Sequence, residues 1–210
     1  MAADPDLIAL FVRGWAMTRE VAPPVAVMGG FHVHVGQPDQ TARYVFAALD
    51  AEALAGLARS IREPLVYLKV CEEPAAVRAV LPSLWIVREP PTFMMTAALQ
   101  AASPSLPAGY RLSVAADGDL VRASILFGAE VVARGRIAML GDTVLFDQVS
   151  TDDRHRRQGL GRAVMQGLTN AALERNASGG LLCATEMGRC LYESLGWTMH
   201  APYTSAVIPA

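Results

Sequence analysis

The stretch that decides the fold is Arg154-His155-Arg156-Arg157-Gln158-Gly159-Leu160-Gly161-Arg162. Before it, residues 143–150 form an apolar run that reads as a strand. After it comes a helical pattern in which Val164, Leu168, Ala171 and Ala172 share one face and Arg162, Gln166 and Asn170 the other. The two glycines let backbone come close to a ligand and turn several amides the same way. Those amides run on into the first turn of the helix, where unpaired N–H groups and the helix dipole favour an anion. Four arginines in nine residues add charge at that point, and planar guanidinium forks suit a pyrophosphate.

Working outward, residues 181–185 read as a buried strand and 188–195 as a short helix stopped by Gly196. Residues 197–199 open the next strand. Upstream, 130–140 and 143–150 are two strands joined by the tight turn Gly141-Asp142, and 110–114 alternates as a strand. Residues 119–127 are ambiguous between helix and strand. The segment 101–108, AASPSLPA, is a linker by its two prolines and small residues. It divides the chain into an N-terminal α/β region, 1–105, and a C-terminal region, 106–210.

In the first region, 25–27 and 31–35 look like strands, and 43–48 is a strand whose apolar run could also begin a helix. Residues 51–61 place Leu54, Leu57, Ala58 and Ile61 on one helical face, with Asp50 available as a cap. A buried strand at 65–70, a helix at 74–81 with Pro74 in its first turn, and strands at 84–87 and 92–96 follow. The fold class is therefore α/β, with a mixed sheet flanked by helices.

Two familiar phosphate readings fail. A P-loop needs Gly-Lys-Ser/Thr, and the single lysine of the chain is Lys69. A dinucleotide-binding turn follows the first strand of its unit and has an acidic residue about 20 positions later. Here the loop comes three quarters of the way along, after an antiparallel meander.

Two motifs carry a resemblance. Arg156-x-x-Gly159-x-Gly161 is similar to the Arg/Gln-x-x-Gly-x-Gly/Ala motif of the GNAT superfamily of N-acetyltransferases. Leu191-Tyr192-Glu193-Ser194-Leu195-Gly196-Trp197 resembles that superfamily's Leu-Tyr-x-x-x-Gly-Phe/Trp signature. They stand in the expected order, one helix and one strand apart. The good match covers 143–197 and a looser one reaches back to 110, leaving 1–105 unmatched.

The resemblance implies a GNAT fold with a twisted mixed sheet, and acetyl-coenzyme A as cosubstrate. Carried over residue by residue, it implies that Arg156, Arg157, Gln158, Gly159, Leu160, Gly161 and Arg162 cradle the pyrophosphate. Val149, Ser150 and Thr151 then pair with the pantetheine arm on a strand that splays from its parallel neighbour. An N–H near Val149 would face the thioester oxygen. Tyr192 is the implied general acid, because a phenol keeps its proton at neutral pH and can deliver it to a departing thiolate. Asp147 and Glu186 are the two candidates for the base. Thr185 stands where the family commonly has Asn, which puts one coenzyme contact in doubt.

A faint repeat links the halves: strand, short helix and Trp85 in the first, strand, short helix and Trp197 in the second. Chance recurrence of a β-α-β pattern and two related half-domains both account for it. With Trp85 set on Trp197, Val80 falls at the position of Tyr192, so the first half, if homologous, is catalytically silent.

Composition bounds the remaining possibilities. With 18 basic and 20 acidic residues and a net charge of −2, the chain lacks the basic surface that nucleic acid requires. Three cysteines without metal or disulfide spacing fit a reducing compartment. Cys183 and Cys190 read as buried small hydrophobes, and Met94-Met95 as core. His32 and His34 share a strand face with metal-like spacing, but no third ligand stands nearby. The first ten residues are acidic where a secretory leader is basic, and no run approaches the roughly 20 apolar residues of a membrane span. A cytoplasmic enzyme is expected, acting on a small-molecule or peptide amine without nucleic acid, membrane or metal. The alternative is a coenzyme A-binding interaction module that has lost its chemistry. The acceptor and the oligomeric state are not legible.

Overall fold

The structure is a computed structural model that describes residues 3–210. Its elements in chain order are α1 (Pro5–Arg19), β1 (Val25–Val27), β2 (Gly30–Gln37), β3 (Gln40–Phe46), α2 (Ala51–Ser60), β4 (Val66–Val70), α3 (Pro74–Val80), β5 (Ile86–Val87) and β6 (Thr92–Ala98). There follow β7 (Tyr110–Asp117), β8 (Leu120–Phe127), β9 (Glu130–Leu140), β10 (Thr143–Thr151), α4 (Leu160–Leu173), β11 (Gly179–Thr185), α5 (Glu186–Glu193) and β12 (Thr198–Val207). The fold class read from the sequence, mixed α/β with sheet and flanking helices, is the one observed.

The chain forms two compact units. The first takes the chain up to Met95 together with Cys183–Arg189 and Met199–Ala210, and the second holds Thr96–Leu182 and Cys190–Thr198. In the first, β1, β2 and β3 form an antiparallel ribbon, β3 runs parallel to β4, and β12 pairs antiparallel with both β4 and β5. α2 and α3 cover one face of this sheet. Leu54, Ala58, Leu68, Val70, Val77, Trp85 and Ala206 make a dry core there, and the Trp85 indole donates to the Ala58 carbonyl at 3.1 Å. Burial of such side chains at about 25 cal/mol per Å² is what holds a layer like this together.

In the second unit, β7, β8, β9 and β10 form an antiparallel meander, and β10 then runs parallel to β11 with α4 as the crossover. Val121, Ala123 and Ile125 of β8 are all buried between partly exposed neighbours. That period of two settles the ambiguous segment as a strand. Of residues 43–48, 43–46 resolve as part of β3 and 47–48 as the start of the connection to α2.

The one helix absent from the sequence reading is α1. Its signals are nonetheless ordinary: Asp4 accepts the Asp6 N–H as N-cap, Pro5 stands in the first turn, and Ile8, Phe11, Val12, Trp15 and Ala16 are buried at helical spacing. Among the described residues no helix is long and apolar enough to cross a membrane.

Candidate functional site

The parallel register of β10 and β11 runs over four pairs, from Thr143↔Gly179 to Phe146↔Leu182. Just beyond Phe146 the register with β9 slips: Asp147 pairs with Arg136 and Ser150 with Arg134. Gln148 and Val149 therefore stand opposite Gly135 alone, which is a β-bulge, and Gln148 takes φ 55. A bulge leaves peptide groups outside the ladder and re-aims the strand. Position 135 is tightly packed: a Cβ there would lie 2.8 Å from Val164 Cγ1 of α4 and 3.1 Å from Val149 Cγ2.

After Thr151 the chain makes a 3-10 turn at Asp153–His155 and passes through Arg157, left-handed at φ 63, and Gly159, left-handed at φ 79. Gly159 is the N-cap of α4, with no side chain to cap it and no acidic residue in the first turn. The first helical hydrogen bond is Ala163 N–H to Gly159 O, 3.0 Å, so the amides of residues 160–162 point out of the helix end. A Cβ on Gly159 would meet nothing within 4 Å. A groove of about 430 Å³ opens there, between Gln158, Gly159 and Arg162 on one side and Ser103, Ser105 and Pro107 on the other. Its far wall is pinned by Asn170 of α4, whose amide accepts from Ala102 N–H at 3.1 Å and donates to Ala102 O at 2.7 Å.

The two glycines of the motif have different jobs. Gly159 supplies the left-handed turn and the open space. Gly161 has no positive φ; a Cβ there would sit 3.2 Å from Leu191 Cδ2, so it lets α4 and α5 approach. Arg162 ties the same helices, donating to Ser194 Oγ at 2.9 Å, and Ser194 donates to Leu191 O at 2.6 Å. The Leu160 side chain is buried in the core, so what it offers the groove is its amide. Arg156 is held within the loop by Asp153 at 2.7 Å and by Thr151 O at 3.4 Å. The charge read from four arginines is thus partly matched by the loop's own acid.

A brace not legible in the motif comes from β7. The Tyr110 hydroxyl donates to Gln158 Oε1 at 2.9 Å and lies 2.8 Å from His155 Nδ1. Because the phenol has one hydrogen, already given to Gln158, Nδ1 must donate to it. Phe127 packs against both rings. Tyr110 is 45 residues before His155, and no local pattern in the sequence joins them.

Tyr192 of α5 is buried, its ring 6.2 Å from that of Trp197, which meets Phe146 of β10 edge-on at 5.2 Å. Trp197 N–H and Leu195 N–H both bond the Tyr192 carbonyl, and Gly196 ends the helix at φ 84. Asp147 is half-buried and sits opposite Arg136 on β9. Glu186 is exposed as the first residue of α5. Thr185 accepts the Gly188 N–H at 3.1 Å, which makes its hydroxyl a helix cap.

Other sequence readings fall as follows. Met94 and Met95 are core residues. Neither Cys183 nor Cys190 is buried: Cys183 is half-buried at the end of β11 and Cys190 is exposed on α5. The His32 ring lies 4.6 Å from that of Tyr44, tilted by 44°, and its pKa is lowered by burial and by His34. Among the described residues no group of His, Cys, Asp and Glu is arranged to hold a metal ion.

No protein-family model matches the chain, and no curated protein sequence matches it. Solved structures do. A GCN5-related N-acetyltransferase from Kribbella flavida is 17% identical with a TM-score of 0.74, over 100% of this chain and 97% of that one. A GCN5-related N-acetyltransferase from Sphaerobacter thermophilus is 11% identical with a TM-score of 0.63, over 100% and 95%. A tandem GNAT protein from the clavulanic acid biosynthesis pathway is 13% identical with a TM-score of 0.57, over 80% and 75%. At these identities the likeness is one of fold: the chain has the fold of the GNAT acetyltransferases.

Proposed function

We propose that this chain is an acetyl-coenzyme A-dependent N-acetyltransferase acting on an amine of a small molecule or peptide. The observation that carries the reading is the joint presence of a bulged strand and an uncapped helix end at one junction, β10 to α4. A helix end leaves amides without an intrahelical partner and a bulge interrupts the ladder, and a pyrophosphate joined to an amide-bearing arm needs such groups. The open space at Gly159 and the groove beside it fit that ligand.

When bound, the acyl thioester would supply an electrophilic carbonyl and a thiolate leaving group. The chain's own residues divide the remaining tasks. Amides of residues 159–162, with Arg157 beside them, hold the pyrophosphate, and Tyr110 and Gln158 keep the loop in shape. Ser150 and Thr151 orient the arm, and the Val149 N–H, within the bulge, serves as the oxyanion donor. Tyr192 holds a proton for the leaving sulfur. Asp147 and Glu186 remain the candidates to take a proton from the amine.

The N-terminal half of the chain repeats the element order of the C-terminal half: β2, β3, α2, β4 and α3 against β9, β10, α4, β11 and α5, with β3 parallel to β4 as β10 is to β11. The shared order supports reading the N-terminal half as a degenerate, non-catalytic companion.

The test is thiol release from acetyl-coenzyme A across a panel of amines, with a parallel thermal-shift titration of the coenzyme. Turnover lost in Tyr192→Phe with binding kept supports the assignment. Binding without turnover on any amine points to the interaction module, and the absence of binding overturns the reading.

A further inference from the structure

The antiparallel meander of the second unit has two unlike faces. One lies under α4, where a Cβ on Gly135 would meet Val164 of that helix and Val121, Ala123 and Ile125 of β8 are buried. Side chains alternate between the faces along a strand. Arg122 and Ser124 of β8, and Arg134 and Arg136 of β9, therefore stand on the other face. Register brings them together, since Arg122 pairs with Arg136 and Ser124 with Arg134. β10 continues the row, with Asp147 level with Arg136 and Ser150 level with Arg134.

Two arginines set directly opposite each other repel, and a third stands two residues along. Register puts two carboxylates beside them on this face. Asp117 lies 3.8 Å from Arg122 in an exposed pair, which holds little energy, and Asp147 stands across from Arg136. Around this point three guanidinium groups thus share two carboxylates, and one further negative charge balances them. Arg134 is exposed, so an anion has access from solvent.

A cleft of about 70 Å³ opens within this group, between Arg122, Ser124, Arg134, Arg136 and the bulge residue Gln148, over Ala123 and Gly135. A water molecule takes about 30 Å³ of the liquid, so the cleft admits a carboxylate head and leaves the rest of a ligand outside. Planar guanidinium forks match the two oxygens of a carboxylate. The Ser124 hydroxyl and the Gln148 amide add donors. Val149, whose N–H is the oxyanion donor of the acyl-transfer reading, belongs to the same bulge as Gln148.

We infer that Arg122, Arg134 and Arg136 select the acceptor, and that it is a small primary amine carrying a carboxylate, as an amino acid does. The inference rests on the acyl-transfer reading. The carboxylate seats in the arginine cleft and leaves the amine free to reach the bulge beside Asp147. There the amine nitrogen bonds the acetyl carbon as the carbon–sulfur bond breaks. The amine loses a proton, the coenzyme leaves as its thiol, and the carboxylate is unchanged. Neighbouring strands lie about 4.8 Å apart, so a head group over β8 and β9 and an amine at β10 are only a few bonds apart.

The test is thiol release from acetyl-coenzyme A with β-alanine and γ-aminobutyrate, with their neutral amides, and with the dication putrescine. The kcat/KM of the acids is expected to exceed that of the amides and of putrescine at least about tenfold. Arg122→Gln combined with Arg134→Gln is expected to raise KM for the acids about tenfold, with kcat kept and the amides unaffected. Arg122→Lys with Arg134→Lys, which keeps the charge, is expected to recover part of that loss. A purely structural role would instead lower turnover of acids and amides alike. Equal kcat/KM for acids and amides, or an unchanged KM in the glutamine variant, overturns the selection and leaves acyl transfer standing. No thiol release with any amine of the wider panel overturns both.

Discussion

Two strand-to-helix junctions occupy corresponding places in the two units, and they end their helices in opposite ways. Between β3 and α2 the chain spends four residues, 47–50, and Asp50 Oδ1 accepts the Ala53 N–H at 3.0 Å. Between β10 and α4 it spends eight, 152–159, and closes on a glycine with no cap. The first helix satisfies its own N-terminus with a carboxylate; the second leaves its amides for something else. The strands before them differ too: β3 and β4 pair through five continuous positions, Ala42↔Val66 to Phe46↔Val70, while β10 bulges at Gln148 and Val149. One architecture thus serves as a packed scaffold in one place and as an open cradle in the other. The difference lies in a few residues rather than in the fold.

That contrast can be broken or sharpened by substitution. The largest expected effect concerns the first unit. Lys69 has a pKa of about 8 against an ordinary 10.5, so its burial penalty is complete below pH 8. Between those values the unfolded chain binds more protons than the folded one, so stability rises with pH there. Urea unfolding of wild type and Lys69→Met at pH 7 and pH 10 should show the difference between them move in favour of wild type, by up to about 3 kcal/mol.

Next comes Tyr192→Phe, for which we expect a fall in thiol release of about 100-fold with acetyl-coenzyme A affinity unchanged. A smaller effect is expected from Gly135→Ala. The added Cβ meets Val164 at 2.8 Å, and overpacking of this kind costs about 1–3 kcal/mol, readable as a shifted urea midpoint. Smallest is Asp50→Ala, which removes the cap of α2 and should cost about 1 kcal/mol without touching coenzyme binding. A loss of coenzyme binding in Asp50→Ala would erase the distinction between the junctions.

The glycine loop, the helix behind it, the Gly196-Trp197 stop and the Asp50 cap were legible because each is a local rule of spacing or capping. The bulge was not, since it is a property of pairing between β9 and β10, and neither was the tight packing at Gly135, which arises from α4 passing over it. The brace of Tyr110 on His155 and Gln158 joins residues that share no local pattern. Thr185 shows the limit from the other side: its departure from the resembled motif was visible, but its use as a cap for α5 depends on where that helix begins. The motif places Arg156 in the cradle, while its pairing with Asp153 depends on the 3-10 turn between them.

The central claim is that the uncapped end of α4 binds the coenzyme's pyrophosphate, and Gly159→Asp tests it most directly. Aspartate tolerates the left-handed conformation at 159 better than most residues, and it places at this helix the carboxylate that Asp50 places at the other. In calorimetric titration with acetyl-coenzyme A, the account predicts saturable binding to the wild type. For Gly159→Asp it predicts affinity reduced at least about tenfold, equal to about 1.4 kcal/mol, with the melting temperature nearly unchanged. Equal affinity in the two proteins would contradict it.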